Sequence, residues 1–230
     1  MELELKKECL DTYELGEPQT LTQEETAETI VPDYCPDIAR IISAEGVVCL
    51  HGGTEQDGVT GTVRVTVLYT PENESGVRAL EFAMPFSAQG EGLAGCAHVV
   101  VETEIELLES RMLNPRKIFT RCKLVTHLAG CRKVCLTISS DAETDPALLV
   151  EKRCCGQTVS LLRQVAEKDL TFSETMSLSL GREGAAELLH CRANGIVTET
   201  KAIGNKLIFK GVFLVSVLYR TTGGQLASAS

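Results

Sequence analysis

Tryptophan is absent, and aromatic residues make up only 4% of the 230-residue chain. Base-stacking platforms and aromatic cages are therefore poorly supplied. Bases are short as well: 22 Lys and Arg stand against 32 Asp and Glu, for a net charge of −10. A chain of that sign does not track phosphates or coat an anionic membrane surface, so no nucleic-acid partner is expected. Nowhere do 18 apolar residues run together, the least a spanning helix needs, and no membrane insertion is expected. The opening MELELKKECL alternates charged with apolar residues and lacks the continuous apolar core of a signal peptide. The chain reads as made and kept in the cytoplasm. Catalytic signatures are missing too: there is no GxSxG elbow, Walker loop, GxGxxG after a strand, or HExxH. His51, His98, His127 and His190 are scattered. The expectation is a protein without catalytic residues or a cofactor, an uncharacterised enzyme being the weakest alternative.

What is present is ordinary for a globular chain, with 43% hydrophobic and 23% charged residues. The length suits one large domain or two ordinary ones. Charge is unevenly placed: residues 1–34 hold ten acids and two bases, which is −8 of the total −10. Such a stretch reads as a solvated edge strand or arm kept soluble by its acids. The sharper reading is an acidic face that selects a basic partner or blocks self-association.

Cysteine is the unusual number. Ten in 230 residues fall well below the ~8–10% of disulfide scaffolds, and a reducing compartment favours buried or strand-facing thiols. His127, Cys131 and Cys135, with Cys122 nearby, are weak metal candidates, because zinc sites use CxxC knuckles or paired histidines rather than CxxxC with one His. Adjacent Cys154 and Cys155 do not share a tetrahedral site easily. The expectation is ten metal-free thiols, with oxidative cross-linking between copies left open.

Period-two alternation dominates the chain. VTGTVRVTVLYT (59–70) sets Val63, Val65 and Val67 against Arg64, Thr66 and Leu68. ENESG (72–76) predicts a turn and 77–86 the returning strand of a hairpin. Residues 98–108 and 117–128 alternate again around the Asn114-Pro115 turn signal, and 131–139 either continues that strand or adds one. Short helices are predicted at 36–42 and 182–191. In PDYCPD, Asp33 and Asp37 sit beside Pro32 and Pro36, where carboxylates cap turns and helix starts. A carboxylate pair or thiol relay around Cys35 is the weaker reading. Arg40 is expected to pair with one of these acids, and Ile38, Ile41 and Ile42 to dock as one helical face. The fold class is therefore mainly β: antiparallel β-sandwich or barrel-like units built from long hairpins, with one or two short helices.

A repeat organises the strands. VTVLYT (65–70) recurs as VSVLYR (215–220), an offset of 150 residues, with GVV (46–48) and GIV (195–197) upstream. This predicts two related β units, 1–145 and 155–230, joined by the polar stretch around 140–152. The second is expected to be incomplete, either truncated or content with fewer strands, because only eleven residues follow Tyr219. An unfinished antiparallel sheet exposes ladder groups and invites another chain.

The ordered series ECLDT (8–12), ETIVPDYCPDIARIISAEGVV (28–48), GTVRVTVLYT (61–70), VRALEFAMPFS (77–87) and LNPRKI (113–118) resembles the SPOCS domain. That is the spore-coat morphogenesis domain of spore-forming Clostridia and relatives. VPDxxPDIARI, with Pro32, Asp33, Pro36, Asp37, Ile38, Arg40 and Ile41, is its most specific piece. The resemblance covers residues 8–140 well and the second unit loosely, where FSETMSLSLGREGAAELL (172–189) lacks both prolines. It implies a non-enzymatic morphogenetic protein in the mother-cell compartment, at the spore coat surface, with tandem SPOCS units. Its implied partners are other spore-coat or coat-basement proteins, with self-association through β edges. Contact with the coat-basement ATPase is associated in that family with a LysM module, and no LysM-like segment is recognised in these residues. A binding module for a glycan or small molecule is the rival reading.

Overall fold

The structure, a computed structural model, describes residues 4–51, 58–143 and 184–230, together with 151, 153, 156, 158–166, 168, 171, 173–175 and 177. Ten strands account for its regular structure: β1 Glu4–Leu15, β2 Gln19–Ile30, β3 Ile38–His51, β4 Gly58–Pro71, β5 Arg78–Gln89, β6 His98–Asn114, β7 Lys117–Glu143, β8 Ala185–Ile203, β9 Lys206–Thr221 and β10 Leu226–Ala229.

Alternation in β4 sends Val63, Val65, Val67 and Tyr69 inward to complete burial. Antiparallel pairing with β3 and β5 makes a three-stranded sheet in the order β3-β4-β5. The spine of the second sheet is β7, whose Ile118, Thr120, Cys122, Leu124, Thr126 and Leu128 are all buried. Strands β2 and β6 both pair the first half of β7, so they occupy opposite edges. From β2's edge, β1 continues beside the second half of β7, and the Gly16 N–H at the break donates to the Gly130 carbonyl at 2.8 Å. The acid-rich 4–30 segment is thus the edge of this sheet, and the strict in–out alternation of β2 follows from one wet face.

The two sheets stack as a sandwich that does not close into a barrel. Val63, Val65 and Val67 of β4, with Met84 and Phe86 of β5, meet Ile118, Cys122 and Leu124 of β7. Each such side chain contributes ~1.5–3 kcal/mol on leaving water. Gly46 lets β3 lie tightly under β6: a Cβ there would fall 2.8 Å from the Ile105 side chain.

The third sheet, β10-β9-β8, repeats the β5-β4-β3 arrangement. On β3, register shifts at Ile38/Arg40 and Ile41/Ser43 oppose Pro71/Thr70 and Tyr69/Leu68. On β8, shifts at Ala185/Glu187 and Leu188/His190 oppose Thr221/Arg220 and Tyr219/Leu218. The two patterns superpose at constant offsets of 147 and 150 residues. The backbone just beyond them repeats as well. Glu72 N–H donates to Asp37 O at 2.9 Å and Thr222 N–H to Gly184 O at 3.0 Å. The next turn carries Gly76 at φ 103° in one sheet and Gly224 at φ 83° in the other. Bulges re-aim side chains and fix register, so a shared pair of them is a stricter likeness than the shared VLY sequence.

Several sequence expectations need correction. No helix occurs among the described residues. The 36–42 segment leaves a turn at Asp33–Cys35 and enters β3 at Ile38, and the described part of 182–191 begins β8. Strand pairing satisfies backbone groups that one helical turn would leave open, and it overrides the local capping signals. Residues 140–143, read as linker, are the end of β7 paired with β1. Cys9 and Cys135, read as thiols, form a disulfide across that pairing, with Cα atoms 5.6 Å apart. Cys154 and Cys155, 144–150, and much of the 172–189 segment lie outside the described residues.

Candidate assembly surface

Two features stand out, a pinned loop on the sandwich and the exposed third sheet. The loop is the VPDYCPD segment. Its turn is closed by Cys35 N–H donating to Pro32 O at 2.9 Å, and Tyr69 Oη donates to Pro36 O at 3.4 Å. Arg116, in the tight β6–β7 turn, holds the rest. One guanidinium nitrogen donates to Cys35 O at 2.7 Å and Asp37 Oδ1 at 3.1 Å. The other donates to Val31 O at 2.8 Å and Asp33 Oδ1 at 3.1 Å. Backbone bonds complete the dock: Val31 N–H to Arg116 O and Ile38 N–H to Pro115 O, both 2.9 Å.

The two aspartates therefore share one cation, where the sequence had them as caps and Arg40 as a partner. Arg40 is exposed, and its carbonyl accepts from Thr70 Oγ1 at 3.4 Å. Asp33 lies in open solvent, where an ion pair is worth ~0–1 kcal/mol, so the bonds to the two backbone carbonyls matter more. Ile38 is fully buried and Ile41 packs on the core, but Ile42 is half exposed because the strand with its bulge turns it outward. Tyr34 at the loop tip is 87% exposed.

The weak metal candidates are not assembled. His127 points outward and hydrogen-bonds Thr20 Oγ1 at 3.0 Å, Cys131 is buried, and Cys135 is bonded to Cys9. Among the described residues no three His, Cys, Asp or Glu side chains converge as a metal site would require. Burial pushes the Tyr69 phenol up to about 12, with Cys35 beside it adding to the shift. Burial also pushes the Cys122 thiol to about 11, helped by Glu25. Both groups stay neutral at ordinary pH and belong to the core.

The open sheet begins where β8 meets β3 and β5. Glu187 of β8 takes Arg78 of β5 at 3.1 Å and also Arg220 of β9, and His190 Nε2 lies 3.1 Å from Glu45 Oε2. At this base Leu189, Val217 and Tyr219 are buried. Further along, Val197, Leu207, Phe209 and Phe213 are each 57–63% exposed. Registered pairs put Phe213 beside Gly195, Val215 beside Ala193, and Phe209 beside Thr200 on one face. Every charged residue of β8 and β9 falls on the other face, since Glu187 pairs Arg220, Glu199 pairs Lys210, Arg192 pairs Ser216, Lys201 pairs Ile208 and Lys206 pairs Ile203. The uncharged face is the counterpart of β4's core face, with Phe213 at the place of Val63. The alternation of β9 was readable from sequence. How much of that face stays exposed was not. Nor did spacing point to Arg116, whose only signals were its place after Pro115 in a turn and within the LNPRKI segment.

No helix among the described residues is long and apolar enough to cross a membrane. Comparison with protein-family models, with curated proteins and with solved structures finds no match to this chain.

Proposed function

We propose that this chain is a non-enzymatic structural protein of the spore coat, built from SPOCS-like units over 1–145 and 155–230, that works by assembly with other coat or coat-basement proteins at the forespore surface in the mother-cell compartment. The observation that carries the assembly part is the uncharged, half-exposed face of β8 and β9. Monomeric proteins rarely leave a contiguous apolar patch of this kind without a use for it. The coat part rests on the VPDxxPDIARI resemblance. The Arg116 dock supports the same reading, because it spends the motif's two carboxylates and two of its carbonyls on holding the loop still.

The test is capture from sporulating mother cells with the tagged full chain, paired with imaging of a labelled coat protein in cells lacking it. Enrichment of coat proteins together with a mislocalised coat is the expected outcome. Normal coat localisation and no coat protein in the eluate would refute the proposal.

A further inference from the structure

We infer that the Cys9–Cys135 pair is an accessible thiol–disulfide exchange site, and that its redox state decides whether the first half of β1 stays paired to β7. The reagent class is a thiol reductant, and the site is independent of the coat reading.

β7 loses its other neighbours before it reaches this pair. Pairing with β2 ends at Leu128 and pairing with β6 at Cys131, so among the described residues only β1 lies beside the rest of the strand. Residues 5–9 of β1 are all exposed, and so are 135–141 of β7. A two-stranded ribbon that buries no side chain is marginal in water. A register shift at Lys6/Lys7 interrupts its ladder. The nearest ion pair, Lys133 to Asp11 at 3.3 Å, has its side chains 60% and 66% exposed and adds little. The covalent bond is therefore the strongest tie that this half of β1 has.

The second half of β1 is held in another way. Thr12 is buried, its hydroxyl donates to Leu162 O at 3.0 Å, and Tyr13 N–H donates to the same carbonyl at 2.8 Å. Gly16 N–H donates to Gly130 O at 2.8 Å. None of these contacts involves a sulfur, so the reduced chain opens as far as Asp11 and stays closed from Thr12 onward.

The position suits reversible chemistry. Cys9 and Cys135 are both exposed, whereas Cys122 and Cys131 are buried thiols. Exposed disulfides are the labile ones, because a thiolate must reach a sulfur to exchange with it. The attacking thiolate bonds to one protein sulfur as the Cys9–Cys135 bond breaks, and the other sulfur leaves as a thiolate that takes a proton. A second thiol of the reagent then displaces the first protein sulfur. Two protein thiols and one reagent disulfide result, and two electrons pass to the protein. The reverse reaction stays within one chain. Cys9 lies opposite Thr137 and Cys135 opposite Asp11, so the bond runs diagonally across the ladder between Cα atoms 5.6 Å apart.

The experiment equilibrates the oxidised full chain in graded mixtures of reduced and oxidised glutathione, without denaturant. Free thiols are trapped by alkylation and mapped by peptide mass spectrometry, and amide exchange is followed in parallel. Cys9 and Cys135 should pass together and reversibly from disulfide to thiols. The β7-bonded amides of residues 5–9 should exchange at least about tenfold faster in the reduced chain, with β4 unchanged. Cys9→Ser and Cys135→Ser should each show the fast exchange in every mixture, and two variants guard against one that does not fold. A disulfide that yields to excess reduced glutathione only in denaturant would make the bond purely structural and overturn the inference. So would amides at 5–9 indifferent to reduction, or Cys9 and Cys135 recovered as disulfides between copies.

Discussion

β4 and β9 share a register, a pair of bulges on the neighbouring strand and a glycine in the following turn, yet β4 lies in a core and much of β9 lies in water. The difference is in cover. Over β4 stands β7, a 27-residue strand held on both edges. Over β9 no such strand stands among the described residues. A β-strand therefore carries its burial pattern before it has anything to be buried against, and the hydrophobic effect acts only once a second face arrives. The sequence of β9 is the more apolar of the two: its outer side carries Val212 and Leu214 where that of β4 carries Thr62 and Arg64.

The widest gap between the sheets should come from one charge placed at counterpart positions. Val63→Asp forces a carboxylate under β7 and should cost at least about 4 kcal/mol, enough to unfold the first unit. Phe213→Asp places the same charge at a 58% exposed site and should cost less than about 1 kcal/mol in chemical denaturation of dilute protein. Equal costs would mean the two faces are equally covered in solution, and the comparison would fall.

The next effect concerns how the covering sheet is kept in place. The Cys9–Cys135 disulfide ties the first strand to the far half of β7 across a sequence separation of 126 residues. Cys9→Ser should lower stability by about 2–4 kcal/mol, the usual range for a native disulfide. The loss should concentrate in β1, read as faster amide exchange there with β4 unchanged. Uniform loss over both strands would show that β1 is part of the same cooperative unit as the core.

A smaller loss is expected at the loop. Arg116→Ala strips partners from Val31 O and Cys35 O together with both aspartates, and should cost about 2–3 kcal/mol. Arg116→Lys should recover little, since one ammonium does not reproduce two nitrogens each reaching a carbonyl and a carboxylate. Full recovery by Lys would reduce the anchor to a simple charge.

These positions show what local sequence can and cannot reveal. Val63, Val65 and Val67 are legible because alternation is a property of neighbours in the chain. Asp33 and Asp37 are legible as important and illegible in role. Their partner Arg116 lies some eighty residues away, and local rules offered only caps and the nearby Arg40. The 36–42 segment misleads for a similar reason: Pro36 and Asp37 are good helix starters, but β4 supplies a ladder that local propensity does not know about. Cys9 and Cys135 look unrelated until the register of β1 on β7 brings them within reach. Each miss is a contact of long sequence separation, and each success is a pattern of period two.

The least effect to measure is the titration of the covered face. Tyr69 holds its phenol proton to about 12 in the fold against 10.0 in a solvated chain, and Cys122 to about 11 against 9.0. In both cases burial favours the neutral form. The unfolded chain releases these protons first, so it binds fewer than the folded chain across pH 9–12, and stability must fall as pH rises through that window. Below about pH 9 both groups are neutral in either state and their contribution is complete. Tyr69→Phe removes the upper part of the alkaline limb, about 2 kcal/mol between pH 10 and 12. At pH 7 it should cost less than about 1 kcal/mol, because the bond it removes, to Pro36 O, is long at 3.4 Å. Cys122→Ala would flatten the lower part, over pH 9–11, at the expense of a cavity under β4. Thermal melts of the two variants against wild type from pH 7 to 12 decide the matter. An alkaline limb unchanged by Tyr69→Phe would mean that this ring reaches water in solution, and that the cover over β4 is looser than the packed sandwich shows.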